Sequence, residues 1–373
     1  MQRTLTLTDL TLFGIASIMG SGGFNLIGSG VRSGGAQWPI ALAMAAALLF
    51  GSAWTYASAY SRSTSNTSES DIIRSVLGVS AEDAGSVAIL VYNIASMVVI
   101  LILISSMILP EGGWGSQVML SISLLTAMTG LAMLGLDINK TIVTTLSLGL
   151  VVMLVVAGCF GVVGPATALP ALPAAPDFRR SLWMFFFVLV GFDALIKFSE
   201  EAKEPTDIPT SFYLSIGTSA LLTLGVGVAI ASWVRLTPAN EGSAFESLFA
   251  VFTGAWIHGY FRWAVIAFLL LTTFVVFLAT SRYLIGLGKK GGMYTPFATQ
   301  EGSILSVFGL SAVTALVNQV DALVIGTDFG FSVIGGLVAA ATCMADWQDG
   351  LVGSALVDGA TAAGFGAMML AVI

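Results

Sequence analysis

The sequence predicts an all-α, polytopic membrane protein, and three observations lead there. Of its 373 residues 56% are hydrophobic and only 9% are charged, against about 25% charged in soluble domains. Mean hydropathy is accordingly high, at +0.94. Apolar runs of about 20 residues, the length that crosses a bilayer as a helix, recur along the whole chain. The alternation in segments of about 10 residues that marks a membrane β-barrel is absent. A net charge of −7 without a basic tract excludes nucleic acid as a partner. It leaves the lipid bilayer as the surroundings that the composition requires.

Hydropathy places about 11 transmembrane helices, at 8–31, 37–60, 84–109, 116–135, 139–163, 180–199, 209–235, 258–287, 303–319, 321–344 and 352–373. The first five fall in residues 1–163, the second five in 164–344, and an additional C-terminal helix in 345–373. Five spans reverse the orientation of the chain, so the second block runs opposite to the first. Between the second and third spans, Ser61–Asp83 is rich in serine and threonine and turns helical from Ser70 to Leu77, which reads as a short interfacial helix. Gly164–Arg179 carries four prolines and reads as an extended external loop. The opening Met1–Thr4 lacks a signal-peptide pattern, so the first apolar run is expected to be a mature span. A cytoplasmic N-terminus puts nine of the 14 Lys and Arg on the inner side, as the positive-inside rule asks. A plasma or inner membrane is the expected location.

The first span contains Ile18-Met19-Gly20-Ser21-Gly22-Gly23-Phe24 near its centre. Each glycine weakens a helix by about 1 kcal/mol relative to alanine. Broken backbone inside a bilayer survives only where it lines a cavity or is buried in protein, so a break here is a candidate binding site. The sixth span reads Phe187-Val188-Leu189-Val190-Gly191-Phe192-Asp193, with a glycine and a carboxylate near its centre. A carboxylate at that depth costs at least about 2.5–3.5 kcal/mol on insertion scales, and therefore faces a partner or a cavity. Interrupted helices in corresponding places of two blocks point to a site shared by inverted repeats.

Three motifs, in order, carry a family resemblance. Gly20-Ser21-Gly22-Gly23-Phe24 resembles the first-helix signature of the amino acid–polyamine–organocation transporter superfamily. Val190-Gly191-Phe192-Asp193-Ala194, followed by Glu200-Glu201-Ala202-Lys203-Glu204-Pro205, is similar to its sixth-helix signature. Ala279-Thr280-Ser281-Arg282-Tyr283 with Gly288-Lys289-Lys290-Gly291-Gly292-Met293 is a looser match to the segment after the eighth helix. Together they span about 300 residues. The resemblance implies a leucine-transporter-like 5+5 inverted repeat with the first and sixth helices broken. It further implies a secondary transporter or exchanger of amino acids, or of related organocations, working by alternating access. Polyamines or another small solute are the alternative cargo.

Physically, unwinding at Gly20-Ser21-Gly22 exposes N–H groups at the start of a half-helix near Gly23, where the helix dipole favours a carboxylate. Freed carbonyls at Ile18, Met19 and Phe187 to Val190, the last group including Val188, accept from an ammonium. The resemblance gives Phe187 the role of an aromatic that closes over substrate. Asp193 stands where the family has an acidic residue; it contacts substrate through water, senses a proton or belongs to a gate, with Lys197 one turn on as its partner. Glu200 and Glu201 are expected in gating ion pairs. Asp328, in the tenth span, is a further candidate for a cationic group or a proton.

Coupling is left open by the residues. The lysine that several relatives carry in the fifth helix is not found in Thr144–Leu148, and Lys140 lies near the helix start. Thr272 and Thr273, with carbonyls at Ala16 and Met19, offer oxygens to a sodium ion, although such hydroxyls more often bond back to the backbone. Proton coupling, sodium coupling and uncoupled exchange all remain. No cofactor motif is present, and the single histidine, His258, excludes a His-based metal site. The two cysteines, Cys159 and Cys343, read as buried packing residues. Nothing supplies the catalytic constellation of an enzyme or the repeated filter of a channel.

Overall fold

The computed structural model describes residues 3–22, 24, 26–162, 176–237, 241–253, 255–317 and 319–372; the side chains at 20–22, 136–138, 161–162, 241, 252–260, 292–293, 320–322, 324–325 and 370–372 are outside that description. Gly23, His258's side chain and most of the proline-bearing stretch 164–179 therefore fall outside the described residues.

Fourteen α-helices are described, in the order α1 (Leu7–Gly22), α2 (Leu26–Gly34), α3 (Trp38–Arg62), α4 (Ser68–Leu77), α5 (Val79–Ile108), α6 (Trp114–Met133) and α7 (Leu136–Val162). Then come α8 (Phe178–Leu189), α9 (Asp207–Trp233), α10 (Ala244–Thr253), α11 (Ala255–Lys289), α12 (Gln300–Ala315), α13 (Val320–Gln348) and α14 (Val352–Val372). A 3-10 segment, Phe192–Phe198, continues α8 across a break. Among the described residues eight stretches are long and apolar enough to cross a membrane by length and composition, one of them, Leu26–Arg62, joining α2 and α3. The expected first, ninth and eleventh spans correspond to α1 with α2, to α12 and to α14.

Helix partners sort the spans into two groups. α1/α2, α3, α8 with its 3-10 segment, and α9 pack on one another, and α5, α6, α11 and α12 form a second mutually packed set. α1 and the 3-10 segment both lean on α11, which joins the groups, while α7 backs α1 and α9, and α13 backs α5. The α1–α9 crossing is close enough that a Cβ on Gly14 would stand 2.2 Å from Ser215 Oγ.

Two expectations need correction. The helix α4 begins at Ser68 and is not interfacial: Ser68, Glu69, Ser70, Ile72 and Ile73 are buried against α5 and α13. Ser68 Oγ donates to Ser65 O (2.6 Å), Ser70 bonds to Ser86 (3.1 Å) and Glu69 pairs with Lys197, all inside the protein, so its polarity does not mark a water-facing surface. Cys159 is exposed on α7 and Cys343 is half-buried, both free. In a bilayer the outer face of a span is itself apolar, so an apolar run does not separate buried from lipid-facing positions.

Candidate functional site

α1 enters from the face that carries the N-terminus, and Ser17 is ten residues along it, about 15 Å at 1.5 Å per residue. That is about half of a 30 Å hydrocarbon core. α8 comes from the opposite face, where Asp177 N–H donates to Ser33 O (2.8 Å) and Ser181 Oγ to Gly30 O (2.8 Å). The two helices meet head to head at mid-depth.

The sixth span breaks where the sequence placed it. The last bond of the α8 ladder runs from Val190 N–H to Phe186 O, and Val190 itself is extended. Gly191 then takes φ +126, a conformation only glycine adopts readily. Its missing side chain also lets α1 approach: a Cβ there would stand 3.0 Å from Ser17 O. Ala194 N–H bonds to Gly191 O and starts the 3-10 segment. The first span breaks later than expected. α1 stays helical through Gly20, Ser21 and Gly22, and α2 starts at Leu26. The helical cost of each glycine, about 1 kcal/mol, is smaller than that of an unpaired backbone group in hydrocarbon, which is several kcal/mol.

A cavity of about 20 Å³ lies at this meeting point, lined by Ser17, Tyr92, Asn93, Ser96, Phe187, Val190, Gly191, Asp193, Ala194, Val276 and Thr327. That volume holds about one water. Ser17 Oγ, Asn93 Nδ2 and Asp193 Oδ1 are buried, and none has a hydrogen-bond partner among the described residues. A hydroxyl, an amide donor and a carboxylate acceptor thus converge on one small space. Buried polar atoms without partners are uncommon and costly, and three around one cavity mark a place built for a polar ligand.

Beneath the cavity lies a charge cluster. Asp193 Oδ2 accepts from Lys197 Nζ (2.9 Å) and from the Tyr92 hydroxyl. Lys197 Nζ also donates to Asp193 O (3.1 Å) and to Glu69 Oε1 (2.8 Å). The side chains of Lys197 and Glu69 are fully buried. Tyr283 sets its ring 5.9 Å below the Lys197 ammonium, and its hydroxyl donates to Ser86 Oγ (3.0 Å).

Further toward the N-terminal face, ion pairs close the path. Arg282 binds Glu201 (3.1 Å), both nearly fully buried, and Lys289 binds Glu200 (2.5 Å). Lys290 bridges Asp71 (2.6 Å) and Glu82 (2.7 Å), and Lys140 holds Asp9 (2.8 Å). Burial pushes the Glu201 carboxyl above its ordinary range against the pull of Arg282. For Asp71 burial acts the same way, but the Lys290 ammonium and the Ser65 and Ser63 hydroxyls outweigh it and hold the carboxyl low. The N-terminal segment is tied in as well: Thr4 and Leu5 N–H donate to Glu201 O, and Lys203 N–H to Leu5 O. On the other side, Phe24 packs edge-on to Phe245 at 5.0 Å.

Of the residues singled out from sequence, Phe187, Val190, Gly191 and Asp193 reach the cavity wall. The Asp193–Lys197 pair forms, and Glu200 and Glu201 are in ion pairs as expected. Val188 is buried in the core, and Met19 turns its sulfur to Thr223 Oγ1 on α9 (3.7 Å). Thr327 lines the cavity, while its neighbour Asp328 does not, because one helical step turns its side chain by about 100°. Of the oxygens expected to serve a sodium ion, Thr272 Oγ1 donates to Ala16 O at 2.6 Å, and Thr273 Oγ1 to Leu269 O at 2.9 Å.

Sequence reading missed Ser17, Tyr92, Asn93, Thr327, Asp9 and Glu69. Asn93 carried a signal, as the one amide in the apolar run of α5. Glu69 carried little, since an acid in a serine-rich connection reads as solvated.

No family model matches the chain, and no curated protein matches it in sequence. Among solved structures it is similar to that of Mhp1, a nucleobase-cation-symport-1 family transporter, in a closed conformation with bromovinylhydantoin bound. The TM-score is 0.56 at 14% sequence identity, over 92% of this chain and 78% of Mhp1. At that identity the likeness is one of fold. Together with the element order, it establishes that this integral, multi-pass membrane protein has the leucine-transporter-like fold, a 5+5 inverted repeat with its first and sixth helices broken and an eleventh helix beside them.

Proposed function

We propose that the chain is a secondary transporter of small organic solutes bearing a cationic group, amino acids foremost and other organocations next, working by alternating access around the two broken spans. The observation that carries this reading is the convergence of Ser17, Asn93 and Asp193, three buried unpartnered polar groups, on one cavity at mid-membrane between the breaks. Asp193 Oδ1 suits an ammonium. The α2 N-terminus, from Leu26, offers the positive end of a helix dipole to a carboxylate. An α-amino acid presents both charges. Phe187, at the wall between the cavity and the face opposite the N-terminus, closes over the solute.

In this reading the repeats are 1–163 and 164–344, with 345–373 outside them. The N-terminus is cytoplasmic, and the ion pairs of Glu200, Glu201 and Lys140 form the inner gate. The described conformation is closed on both sides, and a solute enters when one gate opens and the cavity widens. Ligand binding and gating need no chemical step, which is why no enzymatic role is assigned.

The test is uptake into proteoliposomes of radiolabelled alanine, arginine and putrescine, each with the same solute preloaded. Hydantoin is added because Mhp1 was solved with a hydantoin bound. Saturable uptake of alanine or arginine, lost in Asp193→Asn, supports the reading. Folded protein that moves none of the four solutes contradicts it.

A further inference from the structure

The cluster under the cavity does not balance its charge. Asp193 and Glu69 are two carboxylates facing one ammonium, Lys197, and all three side chains are at most 2% exposed. An uncompensated charge at such a site costs several kcal/mol. The surrounding titratable groups on each packed element do not supply the missing positive charge. α3 presents Tyr56, α5 presents Tyr92, and α11 presents the Tyr283 hydroxyl. On α4 itself Asp71 is held by Lys290, and on α13 Asp346 is held by Arg62. Arg282, the nearest guanidinium along α11, is paired with Glu201.

The two carboxylates are not equivalent. Asp193 Oδ2 accepts two hydrogen bonds, from Lys197 and Tyr92. Glu69 accepts one, on Oε1, and its Oε2 is buried without a partner. Asp193 Oδ1 is also unpartnered, but it points into the cavity wall. The missing positive charge therefore has two places to go: a proton on Glu69, or a cation in the cavity beside Asp193.

We infer that Glu69 is a proton-binding site and that a proton there competes with a cationic group in the cavity, so that solute binding releases one proton. The bond broken is O–H at Glu69 Oε2. The proton leaves to water on the N-terminal face, and the charge it supplied is replaced by the solute's ammonium at Asp193. Burial pushes the Glu69 carboxyl up to about 7 despite Lys197, which places its titration near neutrality. The proton site stands on geometry alone. Its consequence, exchange of solute for proton, rests on the transport reading above.

The experiment is infrared difference spectroscopy of the purified full-length protein across pH, first without solute. A protonated-carboxyl band that titrates near neutrality is expected. It should shift with ¹³C-glutamate labelling, survive Glu201→Gln and vanish in Glu69→Gln. Labelling of the unsubstituted protein keeps the test decisive if Glu69→Gln does not fold. A band that responds only to ¹³C-aspartate, or no band at all, overturns the assignment. Methylammonium, the smallest organic ammonium, is then the probe of competition. Saturating methylammonium should lower the apparent pKa of the band by at least one unit, a tenfold effect. A band that titrates normally and ignores methylammonium overturns the competition. If proteoliposomes move no solute while the band behaves as expected, the transport reading fails and the proton site stands.

Discussion

Gly191→Ala is the substitution that tests the site's architecture most directly. The residue has φ +126, outside the regions alanine occupies, and holding a side chain in such a conformation costs about 1–3 kcal/mol. The new Cβ would also sit 3.0 Å from Ser17 O, 3.1 Å from Ser17 Oγ and 3.2 Å from the Ser17 carbonyl carbon. Those atoms belong to a helix backbone, which cannot swing aside as the end of a long side chain can. Overpacking of this kind adds about 1–3 kcal/mol. A total near 3 kcal/mol lowers the ratio of folded to unfolded protein by about two orders of magnitude. It acts where α1 and α8 cross, so uptake should fall further than stability alone requires. Gly130→Ala is the control. That helical glycine has nothing within 4 Å of its would-be Cβ, and the change should stabilise by up to about 1 kcal/mol. Denaturation in detergent, read beside proteoliposome uptake, separates the two. If Gly191→Ala matches wild type in both, the break is not held by this glycine and the reasoning is wrong.

Three further outcomes follow from the same structure. Lys197→Met strips the cation from two buried carboxylates and should destabilise by about 3–5 kcal/mol, well beyond Glu69→Gln, which leaves Asp193 its partner; equal losses would show that Lys197 does not hold the pair. Glu69 is held at about 7 against an ordinary 4.5, so between those values the folded state binds more protons than the unfolded one. Stability should therefore fall as pH rises through that window, by at most about 1.4 kcal/mol per unit. Glu69→Gln should flatten the profile, and a flat wild-type profile counts against a protonated Glu69. Thr272→Val removes the bond to Ala16 O and should cost about 1 kcal/mol. Wild-type uptake should be equal in sodium and choline media; uptake that needs sodium and is abolished by Thr272→Val would place a sodium site there.

Hydropathy made the spans legible because in hydrocarbon every backbone group must be paired within the segment, which leaves the helix as the form for a long apolar run. The sixth-span break was legible for a related reason: glycine beside a carboxylate at mid-membrane has few uses other than a cavity. The first break was misplaced by a few residues because propensity counts glycines, whereas the helix ends where a neighbour can take over its hydrogen bonds. Lateral placement was harder to read. Thr327 and Asp328 are adjacent in sequence, yet only the first lines the cavity, and hydropathy says nothing of rotation about a helix axis. Glu69 was invisible for a third reason. Its meaning depends on Lys197, 128 positions away, and charge pairing between distant segments leaves no local pattern.

Asp193 ties these levels together. One oxygen faces the cavity, the other accepts from Lys197 and Tyr92, and its carbonyl accepts from Lys197 again. The same 3-10 segment ends five residues on at Phe198, about 10 Å away. There the ring of Phe198 lies 6.0 Å from the Arg282 guanidinium, whose partner Glu201 holds Thr4 and Leu5 through its carbonyl. A cation at Asp193 changes the charge of the cluster, and the cluster is attached to the gate through one short rigid element. A ligand shifts an equilibrium only by its different affinity for the two states. On the proposed reading, the ammonium of Lys197 stands between Asp193 and a protonated Glu69 when the cavity is unoccupied, and pairs with an ionised Glu69 when a solute takes over Asp193. The charge that holds α4 against the 3-10 segment therefore changes with occupancy of the cavity.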